Sequence, residues 1–144
     1  MRLYGQSDDG YRHLLNRAAS TPGVRYLGLA PNDEILEALQ DVDILSYPCT
    51  FRETSCISVI EAMSAGCRVV VPALGALPET TAGFASIYPW SGDYQTHLDN
   101  FCQALEREKE RLDFDAGLQQ DYCRARYDWT GVVKQWKDLV NSLI

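Results

Sequence analysis

Positive charge is scarce in this chain. Its 13 lysines and arginines face 20 aspartates and glutamates, a formal net charge of -7. That balance argues against a nucleic-acid or acidic-membrane surface, because a phosphate backbone demands a basic footprint. Long apolar runs are missing too. None approaches the roughly 20 residues that a bilayer-spanning helix needs, and no basic region followed by an apolar stretch opens the sequence, so a soluble chain without a transmembrane segment is expected. The five cysteines, Cys49, Cys56, Cys67, Cys102 and Cys123, are odd in number, irregularly spaced and without a C-x-x-C pair. They read as reduced thiols of a cytoplasmic protein, not as a disulfide framework or a structural zinc site. No G-x-G-x-x-G follows an apolar run, which disfavours a dinucleotide-dependent oxidoreductase. Small phosphorylated ligands stay open, since backbone amides bind them locally.

The 144 residues, 46% of them hydrophobic, suffice for one domain around one core. Short strands alternate with amphipathic helices along them. Arg2-Leu3-Tyr4 reads as a strand end running into Gly5. Tyr11, Leu14, Leu15 and Ala18 then repeat at helical spacing. Thr21-Pro22-Gly23 breaks that helix, Val24 to Leu27 is a strand, and Asn32 caps a helix carrying Ile35, Leu36 and Leu39. Strands are expected over Val42 to Tyr47, Arg68 to Val71 and Ala85 to Tyr88. Asp93 caps a further helix whose extension, Glu106 to Arg111, reads as a solvated face with i, i+4 pairs. A last helix follows Trp129-Thr130. Such alternation argues for an α/β fold with a doubly wound parallel sheet, Rossmann-like in plan.

The segment from Arg52 to Pro72 carries most of the functional information. Glu53 stands in a polar turn after an apolar strand, and Glu61 stands eight positions later in a short helix of small residues ending at Gly66. A β-branched strand, Val69-Val70-Val71, follows. In open parallel sheets such a loop lies at the carboxyl edge and meets the next helix amino terminus, where free N–H groups and the dipole attract phosphate. Carboxylates placed there can accept from hydroxyls beside that phosphate.

These residues resemble the carboxyl-terminal, nucleotide-sugar-binding half of GT-B glycosyltransferases, retaining and of the family 4 (group 1) type. The resemblance spans nearly the whole chain. It rests on the E-x7-E pair Glu53 and Glu61, the run Glu61-Ala62-Met63-Ser64-Ala65-Gly66, the loop Gly75-Ala76-Leu77-Pro78-Glu79, the turn Val24-Arg25-Tyr26-Leu27-Gly28 and Tyr127-Asp128-Trp129. It implies that Glu53 binds hydroxyls of the donor sugar as the catalytic-site carboxylate and that Glu61 binds the ribose. The amides of Ser55, Cys56 and Ile57 would meet the diphosphate, and Leu29 would stand where related proteins pack on or hydrogen-bond the base. It further implies a hexosyltransferase with no cofactor, the nucleoside-diphosphate sugar being the donor substrate. An amino-terminal domain, expected to lie outside these residues, would present an acceptor sugar, lipid or protein. The full enzyme would then be cytoplasmic or peripheral to the membrane. A non-catalytic nucleotide-sugar-binding subunit working with a partner chain is the alternative.

Plainer readings stand beside these. Ser58 and Glu61 fit a capping box, with serine at the N-cap. Glu53 could be a solvated carboxylate, and Cys56 a small buried residue or part of the phosphate site. Asp41-Val42-Asp43 and Asp113-Phe114-Asp115 match a metal-binding D-x-D, but the first precedes its strand, and no metal is expected. Asp43 is also poorly placed for a phospho-acceptor. Trp129 and Trp136 are expected in the core or in helix packing. The chain departs from the family pattern at Ser55 and Cys56, where Phe and Gly are usual, and at Ala76, where a second glycine is usual. The basic pair that normally faces the diphosphate is absent.

Overall fold

The computed structural model describes residues 10–143, so the strand end expected at Arg2-Leu3-Tyr4 lies outside the described residues. Two compact units divide the chain, Met1–Ile35 and Leu36–Ile144. In the first, α1 (Arg12–Ser20) ends at an extended Thr21, whose hydroxyl donates to the Arg17 carbonyl at 2.7 Å. Gly23 follows at φ +82°. The strand expected over Val24 to Leu27 is not formed: this stretch pairs with no strand among the described residues. Without a ladder the stretch gains no inter-strand bonds, Val24 N–H turning back to the Thr21 carbonyl at 3.1 Å, and Val24, Tyr26 and Leu27 stay exposed. The next helix, α2 (Asn32–Ala38), starts on Asn32 itself.

The second unit holds the sheet. A 3-10 turn, Leu39–Asp41, leads to β1 (Ile44–Ser46), and the remaining elements are α3 (Ile57–Ala65), β2 (Arg68–Pro72), α4 (Leu77–Thr81), β3 (Ser86–Tyr88), α5 (Tyr94–Glu110), α6 (Ala116–Tyr127) and α7 (Trp129–Ser142). The strands are parallel in the order β1-β2-β3, with Leu45 opposite Val69 and Val71 opposite Ile87. Strand β2 shows why its sequence is an unbroken valine run. Val69 and Val71 point into a core formed with Val59, Ala62 and Met63 of α3, Leu77 of α4 and Cys123 of α6, while Val70 packs with Tyr88 and with Ala104 of α5 on the other face. A strand covered on both faces has no solvent side to make polar. Each valine, with no exposed surface, contributes about 1.5–3 kcal/mol by burial. The α/β fold with a parallel sheet flanked by helices matches the sequence expectation.

Helix α3 stops where Gly66 adopts φ +93° and Cys67 N–H reaches back to the Ala62 carbonyl at 2.9 Å. Gln119 of α6, with no exposed surface, then donates its Nε2 to the carbonyls of Met63 and Cys67 at 3.0 and 2.9 Å. Helix α6 was not legible in the sequence, and it is the main helical partner of α3. The solvated face expected over Glu106 to Arg111 needs correction at Glu108, which is buried. Its carboxylate accepts from the Ser86 hydroxyl and stands 3.7 Å from Arg111, and Arg68 donates to its carbonyl at 2.7 Å. The helix end turns Glu108 toward the sheet because Ser86 of β3 offers its carboxylate a donor there, while Arg68 holds the main-chain carbonyl. The ion pairs on this stretch run i, i+3.

Candidate functional site

The β1–α3 loop is shaped by a few specific contacts. Tyr47 prolongs the parallel pairing by one bond, its N–H donating to the Val70 carbonyl at 3.0 Å. The chain then turns, with Phe51 N–H meeting the Cys49 sulfur at 3.3 Å, and presents Glu53 half-buried at the carboxyl edge of the sheet. The Tyr47 hydroxyl donates to Oε1 of Glu53 at 2.8 Å, and Cys49 Sγ lies 3.8 Å from the same oxygen. Burial first, then contacts to Cys56 and Glu53, push the Tyr47 phenol well above its ordinary pKa. Burial likewise raises the Cys49 thiol. Both groups are therefore protonated near neutrality and act as donors. The backbone of Glu53 is fixed from the loop after β2, where Ala76 N–H donates to the Glu53 carbonyl at 2.8 Å. Gly75 is required twice over: its φ is +58°, and a Cβ there would lie 2.6 Å from the Glu53 carbonyl oxygen and 2.8 Å from its nitrogen.

Helix α3 begins beside that carboxylate. Cys56 is its N-cap, with no side-chain capping bond, and its carbonyl accepts from Ile60 N–H at 3.1 Å. The first-turn N–H groups have no intrahelical acceptor and carry the positive end of the helix dipole. Ser58 lies inside the helix, so the expected capping box is absent and Glu61 has no role in one. The reason is packing: Cys56 and Val59 are both buried in the core, which starts the helix two residues before the serine. The φ of Cys56 is -116°, a conformation open to any L residue, so no glycine is needed for backbone reasons. Glu61 is half-buried, one turn along from the exposed Ile57 on the same helical stripe. Ser55 is exposed in the loop itself.

The family model for glycosyl transferases group 1 matches residues 1–107. The chain belongs to that family. It is 28% identical over 121 residues to a D-inositol 3-phosphate glycosyltransferase of Corynebacterium urealyticum, covering 83% of this chain and 28% of that protein. It is also 25% identical over 134 residues to the protein of the same name from Corynebacterium aurimucosum, covering 92% of this chain and 31% of that protein. The chain thus spans less than a third of the length of these curated relatives.

This group 1 glycosyl transferase domain brings Glu53, Ser55, Cys56, Ile57 and Glu61 together around one loop and helix start. Leu29 belongs to the other compact unit, exposed in the unpaired stretch before α2. A cleft of about 250 Å³ lies between Thr54 and Ser55 on the β1–α3 loop, Ala76 and Glu79 at the start of α4, and Tyr122 and Arg126 of α6. Sequence reasoning missed Tyr47 and Arg126. The first could have been found as a hydroxyl at a strand end six residues before the loop glutamate, the second only with α6 in place. The carboxylates of the second D-x-D segment have structural jobs, and the first segment contributes a main-chain bond to the sheet. Asp43 gives its carbonyl to Arg68 N–H at 2.9 Å, Asp113 pairs with Arg111 at 2.9 Å, and Asp115 caps α6 at Leu118 N–H, 3.0 Å away. Among the described residues no group of three or more His, Cys, Asp or Glu could hold a metal, and no helix is long and apolar enough to cross a membrane. Trp129 and Trp136 are not core residues: they are 78% and 64% exposed on α7, which buries none of its side chains. The expectation failed because an amphipathic pattern marks a helical face without saying whether anything covers it.

Proposed function

We propose that this chain is the nucleotide-sugar-binding half of a retaining GT-B glycosyltransferase of the family 4 type, acting as a hexosyltransferase in the cytoplasm. Glu53 accepts from hydroxyls of the donor sugar, Glu61 accepts from the ribose, and Leu29 packs on the base. The N–H groups of Ser55, Cys56 and Ile57 take the diphosphate. As the bond from the anomeric carbon to phosphate breaks, negative charge grows on the leaving oxygen, and amides already oriented at a helix start stabilise it without reorganisation. The acceptor sugar, lipid or protein is held by a second domain.

The observation that carries this reading is the Glu53 carboxylate, held at the carboxyl edge of a parallel sheet beside an uncapped helix start. Calorimetric titration with UDP-glucose, GDP-mannose and ADP-glucose tests it. One donor should bind, weakly, because a helix dipole alone contributes about 0.3–1 kcal/mol at an exposed site, and the 144-residue chain alone should transfer no sugar. Absence of binding by all three, or turnover by the isolated chain, would refute it.

A further inference from the structure

We propose that Tyr47 is the positioning residue for the donor-sugar contact. Its phenol holds Oε1 of Glu53 so that the carboxylate meets the sugar already ordered, with Oε2 left to accept from it. The inference rests on the reading of Glu53 as the sugar-binding carboxylate.

Three observations converge on it. First, the backbone of Glu53 is locked by the Gly75-Ala76 loop, with the Ala76 bond at 2.8 Å and no room for a Cβ at Gly75. Main-chain locking leaves the flexible side chain as the remaining source of disorder. Second, the Tyr47 hydroxyl bonds Oε1 at 2.8 Å, with the Cys49 sulfur, whose nearer acceptor is the Phe51 carbonyl at 3.3 Å, standing 3.8 Å from the same oxygen, and no bond reaches Oε2 from the described residues. A carboxylate oxygen has acceptor capacity for two donors, so the tether fills one oxygen and leaves the other for a ligand. Third, Tyr47 is itself anchored. Its backbone continues the β1 ladder into Val70, and its ring packs against the core that contains Cys56 and Val59. Burial keeps the phenol protonated, so the tether persists across the physiological range. The chain of support runs from sheet to phenol to carboxylate, and ordering the glutamate in advance removes part of the entropy lost when donor binds.

The test separates sugar recognition from nucleotide recognition. UDP, GDP, ADP and the corresponding UDP-glucose, GDP-mannose and ADP-glucose are titrated calorimetrically into the 144-residue chain. The sugar increment is the ratio of the dissociation constants of nucleotide and nucleotide-sugar for the best-binding pair. Tyr47→Phe should lower that increment about 3- to 10-fold, the scale of one rotamer-rich side chain immobilised on binding, and leave nucleotide affinity unchanged. Glu53→Gln should abolish the increment, and the double variant should lose no more than Glu53→Gln alone. A purely structural tyrosine would alter thermal stability and both affinities together. If Glu53→Gln abolishes the increment while Tyr47→Phe keeps it, Tyr47 is not the positioning residue and the role of Glu53 survives. If the parent shows no increment, or Glu53→Gln retains it, the Glu53 reading fails and the inference falls with it.

Discussion

Replacing Gly75 by alanine should damage stability and site together, and the size of the effect follows from two separable costs. An L residue held at φ +58° is in the left-handed region, which costs about 1–2 kcal/mol relative to glycine. The added methyl would also stand 2.6 Å from the Glu53 carbonyl oxygen and 2.8 Å from its nitrogen, closer than real Cβ atoms approach. These neighbours are backbone, not the tip of a flexible side chain, so the two loops must separate. Separation stretches or breaks the Ala76 N–H bond to the Glu53 carbonyl, worth about 1 kcal/mol net. The sum is roughly 2–3 kcal/mol, which in a chain of this size corresponds to a fall in melting temperature of about 6–12 °C. Urea and thermal unfolding of the parent and of Gly75→Ala measure it directly. Because the same movement displaces Glu53, the variant should also lose the calorimetric advantage of nucleotide-sugar over nucleotide. Melting within about 2 °C of the parent would show that the loops are free to part, and the account of Glu53 as a backbone-locked residue would be wrong.

Three further outcomes are expected. Glu61→Gln should weaken nucleotide binding by about 1–3 kcal/mol, the scale of a lost charge-assisted bond; equal calorimetric affinity would remove Glu61 from the site. Gln119→Leu should destabilise the fold by roughly 1–3 kcal/mol in urea titration, because it removes the buried donor shared by the carbonyls of Cys67 and Met63, of which Met63 keeps its bond from Gly66 N–H. Tyr88, fully buried, has its phenol pushed up to about 12 by burial. A raised acid favours the fold while protonated, so its contribution is complete below about pH 10 and is lost as pH climbs from there toward 12, by on the order of 2 kcal/mol. Tyr88→Phe should flatten that alkaline decline when unfolding midpoints are compared at about pH 9 and 11.5, and an unchanged decline would assign it to other groups.

Much of this protein was legible in the residues alone. The valine run of β2 announced a strand covered on both faces, Gly66 announced the end of α3, and Asp93 announced a cap, confirmed by its bond to Thr96 N–H at 2.9 Å. These are local signals, fixed by the dihedral freedom of a few residues or by a periodicity within one element. The grouping of Glu53, Ser55, Cys56, Ile57 and Glu61 was legible for the same reason: one loop and one helix start hold them, and spacing within an element is a sequence property. What only the tertiary structure decided depends on partners distant in the chain. Val24 to Leu27 has strand composition, yet no strand among the described residues offers a backbone for it to pair with. Ser58 has the right spacing to Glu61, yet burial of Cys56 and Val59 moved the helix start past it. Glu108 sits among charged neighbours, yet the Ser86 hydroxyl on β3 draws its carboxylate inward. Tyr47 and Gly75 acquire their meaning from Glu53, which the first holds by its side chain and the second by leaving room for its backbone. Sequence encodes what a residue can do, whereas packing chooses which of its possible partners it meets.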